Sequence, residues 1–127
     1  MAVLVAIALT LALPGAAAAG TSPEVKLRVV VFDGRGASAT ATLRCAEQAT
    51  ATGFLRRAAE RHCRRARKLA RLLTAPPSPN QVCPQIYGGP QTAHVTGRIR
   101  RSRVDRRFAR TDGCEIADWD RMGSLLG

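Results

Sequence analysis

With 127 residues, 20 Lys and Arg against 9 Asp and Glu, and only three Phe, one Trp and one Tyr, this chain has material for one modest core and none for a second domain. Its net charge of +11 favours solubility and attraction to acidic surfaces and defines no fold by itself. Four cysteines form an even set, which in an oxidising compartment reads as two disulfides.

The N-terminus points to that compartment. Residues 3–13 are an apolar run too short to span a bilayer, followed by Pro14, Gly15 and the small residues 16–20, the pattern of a secretory signal peptide. Residues 1–19 are therefore predicted to be removed, leaving a secreted domain over 20–127 with no membrane attachment. All of the side-chain charge lies in that domain, because nothing before Glu24 is charged.

Val25, Leu27, Val29 and Val31 alternate with Lys26, Arg28 and Val30, the period of a half-buried strand. Asp33, Gly34, Arg35 and Gly36 make a turn. A second extended run follows over 38–45, with Ala39, Ala41, Leu43 and Cys45 on one side. The two runs predict an antiparallel hairpin that points Cys45 toward the core.

Over 54–73 the period changes. Leu55, Ala59, Cys63, Ala66, Ala70 and Leu73 recur at three and four residues, the face of a helix, so Cys63 also points inward. Arg and Lys fill most of the other positions, and Pro76 and Pro77 stop the helix. Like charges three and four residues apart cost about 0.2–0.5 kcal/mol a pair, so docking and a disulfide must hold this element. Cys45 with Cys63 is the natural first pairing, although four cysteines allow three connectivities. Closing loops of the size of 45–63 and 83–114 would each add on the order of 3 kcal/mol.

Residues 74–90 contain five of the seven prolines, together with Gly88 and Gly89, and cannot form a central strand or a helix. Cys83 lies within this loop. Strand-like stretches at 92–99 and 103–110 flank a basic turn of Arg100, Arg101 and Ser102, and 114–119 reads as a closing segment.

Four short motifs sit in these elements: Thr42-Leu43-Arg44-Cys45 at a strand end, Cys63 in an Ala-rich helix, Cys83-Pro84-Gln85-Ile86-Tyr87 in the Pro-rich loop, and Asp112-Gly113-Cys114-Glu115 near the C-terminus. Over nearly the whole domain they resemble the Streptomyces-type subtilisin inhibitors. The Cys-Pro-x-[Val/Ile]-Tyr element is the most specific of the four. The resemblance implies an α+β fold with a five-stranded antiparallel sheet, two helices and two disulfides, Cys45 with Cys63 and Cys83 with Cys114. It implies inhibition of extracellular subtilisin-like serine proteases through a substrate-like loop whose reactive bond joins Gln85 to Ile86. Gln85 would enter the primary specificity pocket, with Val82, Cys83 and Pro84 upstream and Ile86 and Tyr87 downstream. It further implies a homodimer through the exposed sheet face, which strand arginines make unusually charged here. Family members carry Met or Lys at the place of Gln85 and Asp-Pro at the place of Gly88 and Gly89. An uncharged Gln85 suits a tolerant or polar pocket, and the two glycines are expected to loosen the downstream side of the loop.

Other chemistries find little purchase. His62 and His94 are read as surface residues, and no Cys-x-x-Cys spacing supports zinc. There is no Gly-x-Ser-x-Gly elbow and every cysteine is wanted for a bridge. Neither an enzyme nor a cofactor is expected. The competing reading is a cationic secreted binding or antimicrobial protein acting through the Arg-rich helix over 56–71. That helix lacks the interleaved aromatics of a specific nucleic-acid reader and otherwise reads as a solvated face.

Overall fold

The computed structural model describes Gly15 and residues 22–127; apart from Gly15, the predicted signal peptide lies outside them. Five strands, β1 (Val25–Phe32), β2 (Ser38–Cys45), β3 (Ala49–Thr52), β4 (Thr92–Ile99) and β5 (Ser102–Phe108), form one antiparallel sheet in the order β3-β2-β1-β4-β5. The alternation read in β1 and β2 holds away from the turn: Val25, Leu27 and Val29, with Ala41, Leu43 and Cys45 opposite, are buried and the residues between them face solvent, whereas near the turn Val31 is half-buried and Ala39 exposed. Asp33 builds the connecting turn, its carboxylate accepting the Arg35 and Ala37 amides at 2.7 and 3.0 Å. Gly97 of β4 adopts φ +138°, and a Cβ there would meet the Lys26 carbonyl oxygen, so close approach to β1 demands glycine.

Helices cover the inner face. A 3-10 turn (Gly53–Leu55) precedes α1 (Ala59–Lys68) and α2 (Ala70–Thr74); α3 (Gly113–Met122) runs into a last 3-10 turn (Gly123–Leu126). The helix predicted over 54–73 is thus interrupted. Leu55 enters the core from the 3-10 turn, and Ala58, at φ 60°, starts α1 from a left-handed conformation. A spacing of three and four residues is satisfied by two short helical pieces as well as by one long one. Leu55, Cys63, Ala66 and Leu73 are buried as that spacing requires, and Met122, Leu125 and Leu126 close the core from the C-terminus.

The fold is α+β, with the expected five-stranded antiparallel sheet and two disulfides, Cys45 to Cys63 and Cys83 to Cys114. The closing segment is a helix. Asp112 caps it by accepting the Glu115 amide at 2.9 Å, and the Glu115 carboxylate reaches back to the Thr111 amide at 3.0 Å, a variant of the reciprocal cap that orders a first turn.

Several arginines act as struts. Arg65 donates to the Met122 and Arg121 carbonyls, each at 2.9 Å, satisfying the C-terminal end of α3. Arg67 pairs with Glu24 at 2.9 Å, and Arg106 joins the Leu72 carbonyl and Asp118, each at 3.1 Å. His62 is not a surface residue: it is 7% exposed, with Nδ1 3.4 Å from Ser124 Oγ, because position 62 flanks the inward stripe of α1. His94 Nε2 lies 2.7 Å from Asp105 Oδ1, and this hydrogen bond holds the Asp105 carboxyl below its ordinary value. Among the described residues, no helix is long and apolar enough to cross a membrane.

Candidate functional site

The chain between α2 and β4 crosses one end of the molecule without regular structure. Four large hydrophobic side chains are exposed among the described residues, and three stand in this segment: Val82 at 95%, Tyr87 at 67% and Ile86 at 55%. The fourth, Phe32, is paired with Thr92, where the segment joins the sheet. Apolar side chains held in water are unfavourable, and their concentration in one short stretch marks a contact surface.

That stretch is exposed but tied down. Cys83 is bridged to Cys114 in the first turn of α3. The Pro84 carbonyl accepts the Gly113 amide at 2.8 Å and the Ile86 amide at 2.9 Å. The second of these bonds closes a three-residue turn centred on Gln85. Downstream, the Gly88 amide donates to the Arg110 carbonyl at 2.7 Å. Both sides of the exposed residues are therefore anchored to one short segment, Arg110 to Cys114, while Gln85, Ile86 and Tyr87 project between the anchors. The Gln85 carboxamide makes one marginal contact, to the Cys83 carbonyl at 3.5 Å.

Gly88 does not loosen the downstream side in the expected manner. A Cβ there would lie 2.8 Å from the Ile116 side chain and 3.3 Å from Arg110 Cβ, so the missing side chain lets the loop settle onto α3. Arg110 completes this support, donating to Gln91 Oε1 at 3.1 Å and lying 5.9 Å from the Trp119 ring centre. Its Nε is buried without a partner. The sequence marks neither Ile116 nor Arg110 as loop support; the one local signal is the apolar Ile two residues after Cys114. Gly88→Ala should therefore crowd a filled contact. Overpacking of this kind costs about 1–3 kcal/mol, to be read as a lowered thermal midpoint of the oxidised protein.

Cys83, Asp112 and Cys114 bring possible ligand atoms within 4.8 Å, but both sulfurs are committed to the bridge. Ser124 Oγ lies 3.4 Å from His62 Nδ1, and among the described residues no carboxylate bonds that ring. The structure exposes Val82 and, past the half-buried Cys83, Pro84, Gln85, Ile86 and Tyr87, and places His62 and His94 outside this stretch. Compared with models of protein families, with curated proteins and with solved structures, this chain matches none.

Proposed function

We propose that this protein is a secreted inhibitor of subtilisin-like serine proteases, presenting residues 82–87 to the enzyme as a substrate strand with the reactive bond between Gln85 and Ile86. Its support is the exposed apolar segment tied on both sides, combined with the Cys-Pro-Gln-Ile-Tyr motif at its centre.

A protease recognises an extended segment by pairing it with its own edge and filling pockets with side chains. Val82, Cys83 and Pro84 occupy the upstream channel, Gln85 the primary pocket, and Ile86 and Tyr87 the downstream side. Pro84 fixes one φ near −65°, and the Cys83 bridge with the Pro84 and Gly88 backbone bonds holds the rest. Ordering that is complete before association is not charged against binding, so a standard interface of roughly 1,600 Å² can reach very tight affinity. After cleavage the same ties keep the new amine beside the acyl-enzyme, where the bond re-forms.

Titration of subtilisin with the oxidised protein tests this proposal. The expected result is stoichiometric inhibition, with a single slow cut after Gln85 seen by mass. Rapid digestion at scattered sites, or no inhibition, would reject it. The cationic-helix reading gains less support, because Arg65 and Arg67 of α1 are engaged within the fold.

A further inference from the structure

The outer face of the sheet is a second large surface, untouched by the loop. Its pairing register sets Arg44 opposite Lys26, Lys26 opposite Arg98 and Arg98 opposite Arg103. Four strands thus contribute a row of cations at a spacing of about 4.8 Å. Arg28 stands one pleat further along, between Thr42 and Thr96. Like charges directly opposite one another weaken a sheet, and most of these find no counter-charge among the described residues. Among the described residues, Lys26, Arg28, Arg44 and Arg98 form no salt bridge; only Arg103 of the row does, with Asp105 at 3.6 Å.

The four unpaired cations line one depression of about 540 Å³ together with Leu27, Leu43, Gly97 and three threonines, and no carboxylate shares its wall. Guanidinium forks, a lysine and hydroxyl groups are the donors that phosphate oxygens use. No aromatic stands among them for base stacking, since Phe32 lies at the far end of β1. We propose that this face binds the phosphate backbone of duplex nucleic acid without reading its sequence. Charge density fits: phosphates recur every roughly 3.4 Å of axis along one strand of a duplex, so a row about 14 Å long meets about as many phosphates as it has cations. Row and loop occupy opposite ends of β4, whose six steps from Thr92 to Arg98 cover about 20 Å. The two surfaces are thus separate patches of the fold, and this inference stands apart from the inhibitor proposal.

Fluorescence anisotropy of a labelled duplex of about 20 base pairs, titrated with oxidised protein across roughly 50–200 mM salt, is the test. Each phosphate neutralised contributes about 0.9 to the slope of log K against log salt. The parent should therefore show a slope near roughly −3.6, reduced by about 1.8 in Lys26→Gln/Arg98→Gln and equally in Arg28→Gln/Arg44→Gln. Arg61→Gln/Arg64→Gln/Lys68→Gln on α1 should leave the slope unchanged. Unchanged slopes in both sheet pairs, or loss confined to the α1 variant, would overturn the assignment. So would tighter binding to phosphatidylserine vesicles than to the duplex at equal salt.

Discussion

Replacing Cys83 and Cys114 together by serine is expected to convert tight inhibition into digestion. The bridge closes a loop with a sequence separation of 31, and its loss should remove roughly 4 kcal/mol of stability in the chain-entropy model. The larger consequence is local. Without the bridge, the upstream side keeps only the Pro84 carbonyl contact with Gly113, and the protease must order the chain as it binds. Fixing one residue costs about 1–2 kcal/mol; even two or three residues freed in this way weaken inhibition by at least about 30-fold. The new amine also diffuses away after cleavage, so a cut after Gln85 becomes fast and final. Cys45→Ser/Cys63→Ser is the informative companion. That bridge lies in the core, away from the loop, so its loss should lower the thermal midpoint and leave the inhibition constant of folded molecules nearly unchanged. Equal inhibition by the parent and the folded Cys83/Cys114 variant would show that tethering is not the source of affinity.

The contrast between the two bridges reflects what a sequence can and cannot carry. Cys45 and Cys63 are legible as inward-facing because each lies in a periodic element, and periodicity fixes direction. The central strands and the β4–β5 hairpin are legible for the same reason. β3 is not: its four residues, Ala49 to Thr52, carry too little alternation to stand out, and they pair only because β2 offers a free edge. α3 reads from sequence only as a closing segment, although Asp112 and Glu115 three residues apart are the signature of a helix start. The motif around Gln85 was visible, but its support was not. Ile116, Arg110 and the Gly113 amide meet the loop through backbone carbonyls and the absence of a side chain at Gly88, and neither leaves a pattern in sequence. The arginines behave likewise. Composition gives their number, and only the fold separates Arg65 and Arg106, used internally, from the unpaired row on the sheet.

Gln85→Lys is expected to create an inhibitor of trypsin-like proteases from the same scaffold. Gln85 is exposed and its side chain makes one marginal contact, so the substitution should leave the thermal midpoint unchanged. In the proposed complex this side chain enters a pocket that, in a trypsin-like enzyme, ends in a buried carboxylate. A carboxamide leaves that charge without a cation; lysine supplies one. Close charge pairs at desolvated interfaces change binding by about 2–5 kcal/mol, which converts to a gain of roughly 30-fold to several thousandfold against trypsin. Inhibition of subtilisin should change far less, because a tolerant pocket accepts either side chain. Many other arginines are exposed on this protein, and trypsin could be held by one of them, so the site of slow cleavage is the deciding measurement. A mass corresponding to a cut after position 85, present in the variant and absent in the parent, ties specificity to that residue. A variant that keeps its inhibition of subtilisin but gains none against trypsin would place a different residue in the pocket.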